Sequence, residues 1–238
     1  MKSTYLQELF RSMALPNEIW AFDLLAPSNL DADEIVASWY VDLKEALNTH
    51  RDAVIVGHSF GSIFFHSCPG AETLLSGSIS LGGCPGNGWI KTAEDSGRTL
   101  DLADYERAEK TYAANPSDTN FADFLASCAP YYFHADRVEE QKVALKKYDY
   151  DHQPWDAACR YGLEKFDLAW EQAPFPGLCL SGEYDRITPI ELCERSPLYQ
   201  GRKDAQFVRM KGAGHFPWIE KPAEFRGYIT RFLANLVR

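Results

Sequence analysis

The sequence of 238 residues contains 34 Asp and Glu residues against 24 Lys and Arg residues, which gives a net charge of -10 at pH 7. An acidic excess of this size argues against nucleic acid or an anionic membrane as a partner, because both are negatively charged themselves. Hydrophobic residues make up 45% and charged residues 24% of the chain, as in ordinary globular proteins, and the length suits one domain with a large core.

The first fifty residues predict alternating helices and strands. A helix is predicted over 5–13, a strand over 18–23 and a second helix over 32–47. The first ten residues lack an uninterrupted apolar run, so neither a signal peptide nor a membrane span is predicted there. We therefore expect a cytoplasmic protein.

The most informative motif is Gly-His-Ser-Phe-Gly at 57–61, which lies between an apolar strand predicted over 52–56 and a helix predicted over 62–68. A Gly-x-Ser-x-Gly motif between a strand and a helix is typical of a nucleophile elbow, a strained turn that exposes the serine hydroxyl. We expect a Cβ at Gly57 or Gly61 to collide with neighbouring backbone. Ser59 is therefore the predicted nucleophile, and His58 is expected to shape the floor of the pocket, where it is a candidate for contact with a substrate.

A strand is predicted over 74–81, and the pattern then changes until residue 173. The segment 84–173 is rich in aromatic and acidic residues and has helical periodicity, as in 102–113, 120–128 and 136–147. We interpret it as a helical cap over the pocket. Tyr131 and Tyr132 are candidates for contacts with a substrate, although aromatic residues in a cap more often pack it onto the main domain.

The candidate acid and base follow the cap. Residues 177–182 predict a short buried strand that ends in a turn with Asp185, and ligand sites of parallel sheets lie at the carboxyl ends of strands. A strand over 206–210 leads to a glycine-rich loop with His215, and a helix is predicted over 222–237. A serine nucleophile needs a histidine to take its proton and a carboxylate to orient that histidine. His215 is the predicted base and Asp185 the predicted acid.

These motifs together resemble the α/β-hydrolase family, from about residue 5 to the end of the chain. The resemblance rests on the motif at 57–61, on Ser-Gly-Glu-Tyr-Asp-Arg-Ile-Thr-Pro at 181–189, and on Gly-Ala-Gly-His-Phe-Pro-Trp-Ile-Glu-Lys-Pro at 212–222. It implies a mostly parallel, doubly wound α/β sheet formed by residues 1–83 and 174–238, with the cap 84–173 inserted before the acid-bearing strand. It also implies that the backbone N–H of Phe60 is one oxyanion donor.

The tyrosine pair and the Gly-Glu-Tyr-Asp strand end also resemble the proline iminopeptidase subgroup. In those peptidases a carboxylate that binds the substrate's free amine tends to follow the catalytic aspartate. Here that position is Arg186, which would repel an ammonium group. Carboxylesterase and lactonase activities therefore stay open beside an amidase of the iminopeptidase type.

One element of the family has no counterpart before the first predicted helix. This is a strand followed by a His-Gly or Gly-Gly-Pro-Gly loop, which supplies the second oxyanion donor. Without that strand, 19–23 and 53–56 would flank an empty position and carry unpaired backbone groups. Direct pairing of the two, self-association with a second copy, or a longer parent chain would each resolve this.

Two functional classes stay open on the sequence. The first is a serine hydrolase of small esters, lactones or amides, and the second is a catalytically impaired relative that binds a small molecule under its cap. The complete triad favours the first class, and the missing donor favours the second. No metal-ligand cluster or phosphate-binding loop is visible, so neither a metal nor a cofactor is predicted. All six cysteines, at positions 68, 84, 128, 159, 179 and 193, are expected to be reduced.

Overall fold

The computed structural model describes residues 2, 4–15 and 18–236, and these form one parallel sheet flanked by helices. Its strands are β1 (Ala53–His58), β2 (Leu75–Leu81), β3 (Gly177–Gly182) and β4 (Ala205–Met210). They pair in the order β1-β2-β3-β4, and each pair is parallel. Parallel neighbours require crossover connections, and here helices provide them. The predicted strands at the elbow, before the acid and before His215 are thus confirmed.

The helices account for about half of the described chain. Their bounds are α1 (Thr4–Arg11), α2 (Ala32–Thr49), α3 (Phe60–His66), α4 (Trp89–Gly97), α5 (Ala103–Ala114), α6 (Asp118–Ser127), α7 (Ala129–Tyr132), α8 (Val138–Leu145), α9 (Gln153–Tyr161), α10 (Glu191–Glu194), α11 (Pro217–Glu220) and α12 (Pro222–Leu236). The predicted end of the last helix, residue 237, lies outside the described residues. None of the described helices is long and apolar enough to cross a bilayer.

Helix α2 shows why the local sequence folds as predicted. Asp31 caps its first turn by accepting a hydrogen bond from the Glu34 N–H at 2.9 Å, and the Asp31 N–H donates to the Glu34 carboxylate at 3.0 Å. This reciprocal capping satisfies two backbone donors at the helix start. The buried side chains Ile35, Trp39 and Leu43 recur at helical spacing and face the core.

The sheet has a hydrophobic core on each face, as a doubly wound fold requires. In β3, Leu178 and Leu180 belong to the core that includes Ile229 of α12, whereas Cys179 belongs to the core that includes Trp39 of α2. This alternation follows from the two-residue period of a strand. All six cysteines are free thiols, and all but Cys159 are buried.

The predicted strand over 18–23 is wrong, because the described residues of this segment form irregular chain. Residues 18–25 and 53–60 both line a cavity of about 1060 Å³. Among the described residues β1 pairs only with β2, so no ladder of hydrogen bonds joins 18–23 to the sheet, and a strand requires such a ladder. Direct pairing with β1 is likewise not found, and pairing of the free β1 edge with a second copy stays a prediction.

Residues 84–173 connect β2 to β3, and the described structure of this segment contains helices α4 to α9 and no strand. Aromatic rings hold these helices together, as where the rings of Tyr112 and Phe124 stack at 5.8 Å between centroids. The helical character predicted for this segment is confirmed. Its role as a cap over a substrate stays a prediction.

Candidate active site

Ser59 occupies the sharp turn between β1 and α3. Its backbone has φ 53° and ψ -122°, a conformation that costs a non-glycine residue of the order of 1–3 kcal/mol. The Ser59 N–H donates to the Leu81 carbonyl at 3.0 Å, and the Ser59 carbonyl accepts from the Ser62 N–H at 3.0 Å. Strand β2 and helix α3 therefore hold the strained turn from both sides.

The two glycines of the motif have different roles. A Cβ on Gly57 would lie 2.6 Å from the Ser62 nitrogen and 2.7 Å from the Gly61 carbonyl carbon, and backbone atoms cannot move away as a side chain can. A Cβ on Gly61, in contrast, would meet nothing within 4 Å. The expected collision is thus found at Gly57, and for Gly61 the expectation is wrong because its Cβ position faces open space.

Asp185 follows β3 and is buried, with every oxygen engaged. One carboxylate oxygen accepts hydrogen bonds from the backbone N–H groups of Ile187 at 3.1 Å and Thr188 at 2.9 Å. The other accepts from the hydroxyls of Ser181 at 3.0 Å and Thr188 at 3.1 Å, and from Nδ1 of His215 at 2.8 Å. Burial alone would raise the pKa of Asp185, but His215 and these donors outweigh it and lower the pKa to about 2.

The bond between Asp185 and His215 assigns the protons on the histidine ring. An ionised carboxylate can only accept, so Nδ1 of His215 carries the hydrogen and Nε2 keeps its lone pair. The two side chains are almost fully buried, at 0% and 1% exposure respectively. This is the tautomer that a general base needs.

The peptide of His215 is held as firmly as its ring. Its N–H donates to the Tyr132 carbonyl at 2.7 Å, and its carbonyl accepts from Nε2 of His58 at 3.0 Å. The preceding Gly214 N–H donates to the Glu220 carboxylate at 2.5 Å. The Tyr132 ring also stacks on the imidazole, with 4.8 Å between centroids and 13° between planes. Cap helix α7 therefore contacts the candidate base directly.

Ser59 and His215 line the same cavity, the one that runs along the outer edge of β1. Among the described atoms no hydrogen bond joins the Ser59 hydroxyl to the imidazole, and catalytic bonds of this kind are often long before substrate binds. Phe60 also lines the cavity. Its N–H belongs to the first turn of α3, where backbone donors have no partner within the helix.

The predicted substrate residues lie in different surroundings. Tyr132 and His58 line the cavity with Ser59, whereas Tyr131 is not among its lining residues. The Tyr131 hydroxyl lies against Gly97 of α4, and its carbonyl accepts from the Arg186 N–H at 3.0 Å. Tyr131 therefore packs cap helices together in this structure, and contacts of all three residues with a substrate stay predictions.

Comparison with known proteins agrees with this architecture. The sequence model of the Alpha/beta hydrolase family matches residues 3–227. The chain belongs to the alpha/beta hydrolase family. Membership in this family supports a hydrolase of unspecified substrate class. A search of curated proteins finds no match to the sequence.

Solved structures with the same fold include several hydrolases. An esterase from Thermogutta terrifontis is 17% identical and superposes with a TM-score of 0.68, covering 99% of this chain and 86% of its own. A meta-cleavage product hydrolase from Pseudomonas fluorescens is 16% identical, with a TM-score of 0.64 and the same coverage. A proline iminopeptidase-related protein from Thermus thermophilus is 21% identical, with a TM-score of 0.62 and again 99% and 86% coverage. At these identities the likeness establishes the fold.

In this hydrolase Arg186 connects the acid-bearing loop to the cap. Its guanidinium donates to the carbonyls of Pro130 at 3.0 Å and Phe133 at 3.2 Å. Pro130 belongs to α7 and Phe133 follows its last residue, Tyr132, whose carbonyl accepts from the His215 N–H. Arg186 is not among the residues that line the cavity.

One group in the cap has the composition of a metal site. The ligand atoms of Asp118, Asp151 and His152 lie within 4.8 Å of one another. Hydrogen bonds account for much of this proximity, because the His152 N–H and ring Nδ1 approach one Asp118 oxygen at 3.0 Å and 2.7 Å. Hydrogen bonds within this group therefore join α6 to the start of α9.

Three residues of this site, Ser181, Thr188 and Tyr5, are not among those predicted from the sequence. Ser181 and Thr188 flank Asp185 within one motif, and a hydroxyl residue three positions after an Asp is a recognisable local hydrogen-bonding pattern. Tyr5, in contrast, lies 53 residues from the His58 that it contacts at 2.7 Å. No local pattern could have indicated that contact.

Proposed function

We propose that this protein hydrolyses small esters, lactones or amides with Ser59 as nucleophile, His215 as general base and Asp185 as the acid that orients it. The observation that supports this most is the buried pair of Asp185 and His215 at 2.8 Å, in a cavity that Ser59 also lines. Such a pair activates a serine hydroxyl, which is a weak nucleophile on its own.

The proposed reaction has two steps. The Ser59 oxygen attacks the substrate carbonyl carbon while Nε2 of His215 takes the hydroxyl proton, and the oxyanion that forms accepts from the Phe60 N–H. The C–O or C–N bond to the leaving group then breaks, and that group takes the proton from Nε2. A water molecule, deprotonated by the same nitrogen, then attacks the acyl carbon; the bond from this carbon to the Ser59 oxygen breaks, Nε2 returns its proton to that oxygen, and the acid is released.

Within this proposal, esters and lactones are better candidates than peptides with a free N-terminus. The ammonium group of such a peptide needs a carboxylate partner, and the position after Asp185 holds Arg186 instead. The leaving group of an ester or lactone makes no such demand. We therefore test ester hydrolysis first.

A second candidate is a relative that binds a small molecule in the cavity without efficient turnover. One observation favours it: in the described structure no hydrogen bond joins the Ser59 hydroxyl to the His215 ring. A serine hydroxyl without a base to take its proton is a weak nucleophile. The cavity of about 1060 Å³ has room for a ligand under either candidate.

The test compares wild type with Ser59→Ala on p-nitrophenyl acetate and butyrate. Ser62→Ala is the matched control, because it removes a hydroxyl of α3 that has no hydrogen-bond partner. We expect turnover in wild type and the control and background hydrolysis in Ser59→Ala. Equal rates in wild type and Ser59→Ala would overturn the proposal.

Labelling with a fluorophosphonate probe, followed by peptide mass spectrometry, separates the two candidates. The hydrolase proposal expects the label on Ser59. Saturable binding of a small molecule in the cavity, without fluorophosphonate labelling of Ser59 and without ester turnover, would favour the binding protein instead.

A further inference from the structure

His58 lies directly before the nucleophile, and both of its ring nitrogens are bonded within the protein. Nδ1 is 2.7 Å from the Tyr5 hydroxyl, and Nε2 is 3.0 Å from the His215 carbonyl oxygen. The residue is 7% exposed. The rings of His215, Phe216 and Trp218 each lie 4.7 Å from its ring, centroid to centroid. A polar contact between His58 and a substrate would therefore require one of these two bonds to break.

These contacts allow one tautomer of a neutral ring. A carbonyl oxygen only accepts, so Nε2 of His58 carries the hydrogen, and Nδ1 must then accept the hydrogen of the Tyr5 hydroxyl. Burial, together with nearby His215, lowers the pKa of His58 well below its usual value. Burial raises the pKa of Tyr5 well above its usual value, so its hydroxyl keeps the proton that it donates.

The contact with His58 completes the set of polar bonds around His215. The His215 N–H donates a hydrogen bond to the Tyr132 carbonyl, and its Nδ1 donates one to the Asp185 carboxylate. The His215 carbonyl accepts a hydrogen bond from Nε2 of His58. In the described structure Nε2 is thus the one polar atom of this residue without a hydrogen bond. That atom is the one that the proposed reaction uses, and its direction is set by the other three.

We propose that His58 is a positioning residue for His215, and that Tyr5 fixes the His58 tautomer that can hold the His215 carbonyl. This inference rests on the proposed function and assigns a role in it to a residue of α1. Displacement of His215 would lower the reaction rate, because proton transfer requires close alignment of Nε2 with the Ser59 hydroxyl. A misplacement of about 1 Å can lower the rate on the order of 10²-fold.

Four variants test the pair. His58→Leu removes both bonds, His58→Gln keeps a side-chain N–H that can donate to the His215 carbonyl, and Tyr5→Phe removes only the donor to Nδ1. Tyr148→Phe is the matched control, because the Tyr148 ring contacts Tyr5 at 5.6 Å between centroids but makes no bond to His58. Thermal unfolding confirms that each variant is folded.

With p-nitrophenyl butyrate, we expect kcat to fall by up to about 10²-fold in His58→Leu and by less in Tyr5→Phe, with KM unchanged. His58→Gln should recover most of the loss, and Tyr148→Phe should match wild type. A merely structural role would lower the melting temperature without this split between kcat and KM. A kcat of folded His58→Leu within twofold of wild type would overturn the proposal.

The ring tautomers are read directly from nitrogen NMR spectra of protein labelled with ¹⁵N-histidine. Wild type should show His58 protonated on Nε2 and His215 protonated on Nδ1, and Tyr5→Phe should mix the two His58 tautomers. A wild-type His58 protonated on Nδ1 would overturn the proposal. This measurement needs no turnover, so a wrong His58 tautomer is distinguished from a failure of the proposed hydrolysis, which the Ser59→Ala comparison detects.

Discussion

The two edges of strand β1 have opposite surroundings. Its inner edge pairs with β2 from Ala53 to His58, and Ile79, the partner of Val56, is fully buried. Its outer edge has no neighbouring strand among the described residues, and residues of β1 line the cavity of about 1060 Å³ together with the irregular segment 18–25. A strand of such length would ordinarily have its backbone groups paired on both edges or covered.

This difference separates the rigid half of the site from the open half. Asp185 and His215 follow β3 and β4, on the paired side, where their polar atoms are held by bonds within the protein. Ser59 lies at the border between the two sides. Fixed donors and acceptors lower the cost of reorganisation during a reaction, and an open cavity provides room for a ligand. The site therefore joins a preorganised candidate base to an accessible candidate nucleophile.

The largest effect is expected on the rigid side, for Asp185→Asn. The amide NH₂ cannot accept from Nδ1, so His215 is turned toward the wrong tautomer, and kcat for an ester should fall by roughly 10³- to 10⁴-fold. Steady-state kinetics measure this, with Asp95→Asn, an exposed carboxylate of α4, as the control. A loss of less than about tenfold would mean that the buried pair does not orient the base.

The second prediction compares the two glycines of the elbow. Gly57→Ala should lower the free energy of unfolding by more than about 4 kcal/mol, because its Cβ would enter the backbone of α3. Gly61→Ala should leave it unchanged or raise it by up to about 1 kcal/mol, since alanine is the better helix former. Urea denaturation followed by circular dichroism measures both. Equal effects would contradict the close approach of α3 to β1.

The third prediction concerns acid stability of the buried side. Nδ1 of His66 lies 2.8 Å from the Ser62 carbonyl, to which it donates, and Nε2 lies 2.9 Å from the Tyr199 hydroxyl. A neutral ring satisfies both contacts, because Nε2 can accept the hydrogen of that hydroxyl. Burial lowers the pKa of His66 from 6.5 to about 3. As pH falls below 6.5, the unfolded chain binds a proton that the folded protein refuses. The stability present above pH 6.5 is therefore lost progressively down to pH 3.

Urea unfolding at several pH values tests this with His66→Gln. Between pH 6 and 4 the free energy of unfolding of wild type should decline more steeply than that of the variant, by about 1.4 kcal/mol per pH unit. His58 adds a decline of the same sign to both proteins. Parallel curves would show that His66 is already protonated in the folded state.

The smallest effect is expected on the open side. Ile79→Ala removes a fully buried side chain and should cost about 2–5 kcal/mol, whereas Val56→Ala, its half-buried partner at the cavity, should cost about 1 kcal/mol or less. Both are measured by urea denaturation. Similar costs would indicate that the outer edge of β1 is packed in solution, for instance by a second copy, and sedimentation velocity would then detect the dimer.

Much of the site could be predicted because its signals are local. The elbow motif, the buried strand before Asp185 and the glycine-rich loop before His215 each lie within a dozen residues. A strand period and a tight turn depend on neighbouring residues alone. The order of serine, acid and histidine along the chain then indicated the alpha/beta hydrolase fold, which the family match confirms.

The sequence by itself determined the strands of the sheet, the strained turn and the types of side chain that end each strand, since these follow from local sterics and hydrophobic period. Only the tertiary structure decided that 18–23 is not a strand, that Gly61 faces open space, and that Tyr5 meets His58. Each of these depends on groups that are distant along the chain and meet only in the folded protein. A segment forms a strand only where a neighbouring strand pairs with its backbone groups, and the tautomer of an imidazole is set by its hydrogen-bond partners.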